Sequence, residues 1–93
     1  MEVQHELKNT EGLFYVAQGN HHVAEMRYSM TSPSVMDIYH TEVSEDLQGK
    51  HIGRKLIETA VDFARDHQYK IHPSCSFAQN VFETTQDFDD VLA

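Results

Sequence analysis

One cysteine, two prolines, four glycines and no tryptophan occur in 93 residues, and each scarcity excludes something. With Cys75 alone, no disulfide can close within the chain and no cysteine-based zinc cluster can assemble in it. A small chain without disulfides suits a reducing compartment, and a cytoplasmic protein is expected. Cations are scarce as well: seven Lys and Arg stand against fifteen Asp and Glu, a net charge of −8 with histidines neutral. Binding nucleic acid through its phosphates wants the opposite balance, and so does docking on an anionic membrane. A cationic partner, such as an amine or a Lys-rich peptide, is attracted at long range instead. No apolar run approaches the ~20 residues of a membrane-spanning helix. Met1-Glu2-Val3-Gln4-His5 has neither the basic nor the apolar stretch of a secretory signal. No repeat, linker or low-complexity segment divides the chain, so one domain over residues 1–93 is expected.

What is present is enough to fold: 40% of the residues are hydrophobic and 10% aromatic, too many for a disordered tail. Val3, His5 and Leu7 alternate with polar residues, Leu13 to Ala17 is a compact apolar run, and Ala24, Met26, Tyr28 and Met30 hold period two. Turn signals at Asn9–Gly12, Gly19-Asn20 and Thr31–Ser34 separate these segments, which reads as an antiparallel meander. A fourth strand, Val35 to Val43, follows. The period then changes. Ile52, Leu56, Ala60 and Ala64 recur at fourfold spacing, widened by Ile57, Val61 and Phe63, which predicts a helix from about Gly49 to His67. A short strand at Tyr69-Lys70-Ile71 runs into Pro73, where pairing ends for want of a donor. Phe77, Val81 and Phe82, then Phe88 and Leu92, predict short closing helices. The fold class is α+β, with one strand–helix–strand junction, parallel if both strands share a sheet.

The junction between the fourth strand and the long helix carries the chemistry. Gly49 and Gly53 flank the predicted helix start, and Lys50, Arg54 and Lys55 cluster there. Free N–H groups at a helix start, aligned with the dipole, make an anion site. The bland alternative is a solvated basic turn, but cations at a helix N-terminus oppose the dipole, which favours a bound anion. On the fourth strand, His40 is expected to share a face with Met36 and Ile38, which reads as a packed core histidine. Glu42 is expected on that face too. Cys75 either packs, as unpaired cysteines often do, or acts as a nucleophile. His21 and His22 are neighbours on a strand and point apart, and no other histidine has ligand spacing, so no metal site is expected.

Gln48-Gly49-Lys50-His51-Ile52-Gly53 resembles the acetyl-CoA pyrophosphate loop of the Gcn5-related N-acetyltransferases, (Arg/Gln)-x-x-Gly-x-(Gly/Ala). With His40-Thr41-Glu42-Val43 before it and Pro73-Ser74-Cys75 after the helix, the chain is similar to the small single-domain branch of that superfamily, over roughly Leu13 to Phe82. His51 departs from the pattern, standing where the motif has its first glycine. The resemblance implies a mixed sheet whose fourth and fifth strands splay apart, with coenzyme A in the cleft between them. It places the pantetheine arm on the backbone of Thr41, Glu42 and Val43, and the pyrophosphate on the amides of Gln48 through Gly53, with Arg54 assisting. Asn80 is implied as a further cofactor contact, and Cys75 and His40 as the catalytic pair. The two helices that longer members carry between their first two strands have no room here, which implies an open acceptor side. The expected activity is transfer of an acetyl group to an amine of a small molecule or protein, by His40-assisted attack or through an acetyl-Cys75 intermediate. The alternative is a non-catalytic CoA-binding or acidic protein-interaction module.

Overall fold

The computed structural model describes residues 2–93. Four strands, β1 (Gln4–Lys8), β2 (Glu11–Gln18), β3 (His21–Ser32) and β4 (Val35–Val43), form an antiparallel meander. A 3₁₀ turn (Glu45–Leu47) leads to helix α1 (Ile52–His67), then β5 (Lys70–Pro73), helix α2 (Ser76–Thr84) and a closing 3₁₀ segment (Gln86–Val91). The sheet order follows the chain, β1-β2-β3-β4-β5, and β5 joins β4 in parallel. The fold is therefore the expected α+β arrangement, with α1 as the crossover between parallel neighbours. Among the described residues, no helix is long and apolar enough to cross a membrane.

Both helices cover one face of the sheet. The period-two residues Met26, Tyr28, Met36 and Ile38 meet the α1 stripe Leu56, Ile57, Ala60, Val61 and Ala64, and all are 0–1% exposed. Glu58, Asp62, Arg65 and Asp66 lie off that stripe and are exposed. Gly12 marks the tightest contact in this layer: a Cβ there would lie 2.0 Å from the Tyr28 ring. At the chain's end, Val81, Phe82, Phe88 and Val91 are buried, whereas Phe77 and Leu92 point outward, 38% and 39% exposed. The last segment is clamped by Arg65, which donates to Asp90 at 2.8 and 2.9 Å, and by Lys70 donating to the Asp90 carbonyl.

The other face is bare. Register places Gln4, Tyr15, Glu25 and Glu42 in one row across it, Glu6, Leu13, Arg27 and His40 in the next, and Glu11, Ser29, Asp37 and His72 in a third. His40 is therefore not on the face of Met36 and Ile38. The register slips between Arg27 and Tyr28, so Arg27 pairs with His40 while Tyr28 pairs with Ile38. The extra residue, Tyr39, is a β-bulge that reverses the side-chain phase of everything after it on β4. His40 and Glu42 are turned to solvent with side chains 50% and 71% exposed, and Thr41 takes the inward position.

Two other boundaries shift for local reasons. Helix α1 begins at Ile52, not near Gly49, because Gly49 (φ 82°) and His51 (φ 62°) sit in the left-handed region that a right-handed helix cannot include. Strand β5 reaches Pro73, which is its last paired residue opposite Ile38, and pairing stops there as expected.

His5 ties β1 to α1. Its ring stacks on Phe14 at 4.1 Å, meets Phe63 edge-on at 4.5 Å, and hydrogen-bonds the Tyr28 hydroxyl at 2.6 Å. Burial, then the nearby His67, pushes the His5 pKa below its ordinary 6.5, so the folded chain binds this proton less readily than the unfolded one. Stability contributed by neutral His5 is full above pH 6.5 and declines as pH falls through that value toward the lower folded pKa. Urea midpoints measured from neutral pH downward should fall across this window, and His5→Gln should flatten the decline.

Candidate functional site

The site begins where β5 leaves β4. After the Ile38–Pro73 pair, the Ile38 carbonyl accepts from both Ser74 N–H (2.8 Å) and Cys75 N–H (3.1 Å), and the chain turns into α2. Strand β4 continues along β3 as far as Val43 with no strand on its other side. Ser44 N–H donates to the Val23 carbonyl at 2.8 Å. By strand alternation, Glu42 directs its backbone to β3, while Thr41 and Val43 direct theirs into the open gap. The Gln48 amide spans that gap's upper end and donates to the Val43 carbonyl at 3.2 Å. Of the three β4 residues expected to offer backbone groups, Thr41 and Val43 are placed to do so. Glu42 is not, because its backbone is spent on the ladder.

Beyond Val43 the chain prepares a helix start with no cap. No side chain caps α1 and no acid lies in its first turn. The first intrahelical bond runs from Lys55 N–H to the His51 carbonyl at 3.0 Å, so the amides of Ile52, Gly53 and Arg54 have no helical acceptor. Together with the dipole they form an anion-binding end. His51 explains the glycine that the motif expects at its position: the residue is left-handed, φ 62° and ψ 24°, where a Cβ costs roughly 1–2 kcal/mol. Gly53 is required by packing instead, since a Cβ there would lie 2.7 Å from the Phe77 ring.

A cleft of about 380 Å³ joins this helix start to the end of β4. Val43, Leu47, Gln48, Gly49, His51, Ile52, Gly53 and Arg54 form one wall, and Phe77, Asn80, Val81 and Thr84 of α2 form the other. Most of the residues expected around a cofactor thus converge, Asn80 included. Thr41, Glu42 and Lys50 are not on its walls. Arg54 lies in the wall, but its guanidinium is held by Thr85 Oγ1 (3.1 Å) and Glu58 (3.5 Å), with Phe88 beneath at 5.6 Å. It faces the closing segment rather than the free amides. Leu47, Phe77, Val81 and Thr84 escaped sequence reasoning. Phe77 carried the one available signal, an aromatic on an amphipathic helix that ends up exposed.

Cys75 is the N-cap of α2. Its half-buried sulfur accepts from Ala78 N–H at 3.4 Å and lies 3.4 Å from Thr41 Oγ1. His40 is on the opposite face, 3.9 Å from Glu42, so the sulfur's hydrogen-bonding neighbour is Thr41 and not His40. The bulge at Tyr39 separates the expected pair. On the bare face at the mouth of the gap, Ser74 donates to Asp37, and His72 Nδ1 lies 3.3 Å from Ser74 Oγ and 3.9 Å from Asp37. Among the described residues, no three His, Cys, Asp or Glu side chains converge as metal ligands.

Replacing His51 by glycine removes the left-handed Cβ penalty. His51→Gly should raise stability by about 1 kcal/mol, seen in thermal denaturation as a shift of roughly 4–8 °C for a chain of this size. An unchanged or lower melting temperature would mean that the His51 side chain stabilises the turn.

Residues 13–91 match the family described as GCN5-related N-acetyl-transferase. The Danio rerio protein NATD1 is 29% identical over 79 residues, 85% of this chain and 71% of the relative. The solution structure of a GCN5-like protein from Staphylococcus aureus is 32% identical and superposes with a TM-score of 0.77 over 99% of this chain and 87% of that one. An aminoglycoside N-acetyltransferase solved in complex with CoA shares the fold alone, at 11% identity and a TM-score of 0.57, covering 82% of this chain and 66% of that one. With the open β4 edge and the uncapped helix start already in place, the match over most of its length means that this chain belongs to the GCN5-related N-acetyltransferase family.

Proposed function

We propose that residues 1–93 work as one acetyl-CoA-dependent N-acetyltransferase domain that moves an acetyl group to an amine. The observation that carries this reading is the continuity of the cleft. It runs from the free amides of Ile52, Gly53 and Arg54 to Val43, at the end of the β4 edge that no strand covers. The two ends suit the two ends of coenzyme A. Amides at a helix start suit a pyrophosphate, and an open strand edge suits the amides of a pantetheine arm. Gln48 through Gly53, Asn80 and the apolar wall of Phe77 and Val81 would hold the cofactor. A cytoplasmic setting suits the lone thiol of Cys75.

Bound acetyl-CoA supplies an acyl group activated as a thioester. The chain's own residues then position and deprotonate. Open amides of β4 hold the acyl oxygen and stabilise the charge that develops on it as the amine adds. The amine nitrogen would bond to the acyl carbon, the carbon–sulfur bond would break with its electron pair on sulfur so that CoA leaves as the thiolate and takes up a proton, and the amine's own proton would pass to a base or water. His40 and Glu42, exposed together on the bare face, suit that proton for direct attack. Cys75 suits the other route, in which its sulfur takes the acetyl group before the amine does. The separation of Cys75 from His40 supports direct attack, since neither residue prepares the other. A second reading, a CoA-binding or acidic interaction module without turnover, is favoured by His51, whose side chain lines the cleft where the motif has glycine.

Isothermal calorimetry with acetyl-CoA, CoA and ATP tests the common ground of these readings. Selective heat with acetyl-CoA and CoA is expected, together with about 2.7 kcal/mol of stabilisation at a hundredfold the dissociation constant. Absence of both removes the cofactor from the account. Given binding, Cys75→Ser should retain most acetyl transfer to an amine panel, and intact-mass spectra of the wild type should show no acetyl on Cys75. A stable acetyl adduct, lost in Cys75→Ser along with activity, would instead establish the covalent route.

A further inference from the structure

The two edges of the sheet are finished differently. At β5 the chain covers its own edge. That strand has four residues, ends in Pro73, and receives Leu92 as a parallel bridge, with Ala93 N–H donating to the Ile71 carbonyl at 2.8 Å. At β1 no described segment pairs with the outer side. Edge strands are commonly guarded against pairing with other chains by a proline, a bulge or surface charge. β1 has no proline, and its register against β2 runs unbroken from Gln4 to Lys8, whereas β2–β3 and β3–β4 both slip. Only charge guards it, and the charge pattern is what selects a partner.

The backbone groups on offer follow from the ladder. Met30 N–H donates to the Thr10 carbonyl at 2.7 Å, so alternation along β2 turns the backbones of Glu11, Leu13 and Tyr15 toward β1. Their opposite residues Lys8, Glu6 and Gln4 answer them, which leaves the N–H and C=O groups of Val3, His5 and Leu7 pointing outward. The side chains of these three share the helix side of the strand. Val3 packs partly on the core, His5 stacks on Phe14, and Leu7 is left 45% exposed.

We propose that β1 pairs antiparallel with β1 of a second copy of this chain, about a twofold axis at His5, joining two sheets into one. Charge selects that register from the few that oppose the outward groups. An axis at Gln4 sets Glu2 against Glu6, and one at Glu6 sets that residue against itself. An axis at Leu7 pairs Glu6 with Lys8 but lays the Asn9-Thr10 turn against the second copy's strand. The axis at His5 matches residues 2–8 throughout: Glu2 meets Lys8, Val3 meets Leu7 and Gln4 meets Glu6, each twice. Tyr15 already prepares one of these pairs, donating to Gln4 Oε1 and to Glu6 Oε1 at 3.2 Å each, so the Gln4 amide nitrogen is left to donate to Glu6 of the second copy. Val3 of that copy covers the exposed Leu7. The β4–β5 gaps then lie at opposite ends of the joined sheet, and the pairing stands whether or not the acyl-transfer reading does. Strand pairing alone buries less than the roughly 800 Å² per partner of a stable dimer, so the association is reversible and concentration-dependent.

Sedimentation equilibrium from about 10 µM to about 1 mM should show a monomer–dimer equilibrium, and a mixed isotope-labelled sample should give intermolecular NOEs between Val3 and Leu7. Glu2→Lys sets Lys against Lys8 at both ends and should weaken dimerisation about tenfold. Adding Lys8→Glu reverses both pairs and should restore it, whereas Glu83→Lys, the same charge change on α2, should have no effect. Glu2 precedes the paired part of β1, so its replacement should leave the circular dichroism spectrum unchanged. A chain that stays monomeric, a Glu2→Lys loss that Lys8→Glu does not rescue, an equal loss in Glu83→Lys, or NOEs that report another register or surface would overturn the proposal.

Discussion

The rest of the site depends on the Ile38 carbonyl. By accepting two amides, those of Ser74 and Cys75, it ends the parallel pairing of β4 and β5 and satisfies both groups as the chain turns away. An edge left open without that closure would expose polar backbone in a partly buried place. Because the turn is satisfied there, β4 can run on alone with its Thr41 and Val43 groups unclaimed by any strand. Helix α2 starts at the same point, with Cys75 as its cap, and its next turn supplies the second wall of the cleft. Gap, cap and cleft follow from a single carbonyl.

The bulge at Tyr39 works as the complementary constraint. One extra residue on β4 keeps Ile38 in the core while sending His40 and Glu42 to the bare face. The molecule thereby separates its chemistries by face. Free amides lie at the helix start, which suits an anion, while the Arg54 guanidinium turns away to Thr85 and Glu58. Carboxylates and histidines lie on the opposite side, which suits a cationic acceptor.

Small size makes this arrangement sensitive to individual residues. A domain of this length buries a modest fraction of its surface, so its stability margin is narrow. It nevertheless keeps His51 in a left-handed conformation and leaves the α1 start uncapped, two features that work against stability. Both lie in the cleft wall, and the same backbone shape presents the free amides. Local strain held at a binding site is a familiar arrangement, since the surrounding packing can maintain it. Here that packing is the Gly53–Phe77 contact and the buried α1 stripe.

The sequence by itself determined the strands, the long helix and the class of the fold, because these are local periodicities. Alternation at Ala24, Met26 and Tyr28 and fourfold spacing at Ile52, Leu56, Ala60 and Ala64 can be read without knowing any long-range contact. The helix-start loop was legible for the same reason: its glycines, its basic residues and its resemblance to a known motif are contiguous. Which residues surround the gap was decided only by tertiary structure. Cys75 meets Thr41 across 34 positions of sequence, Arg54 turns to Thr85 across 31, and the phase of His40 hangs on a register slip against β3. None of these is a property of a short window. They arise when strands choose a register and helices settle on the sheet, and a shift of one residue reverses which face a side chain serves.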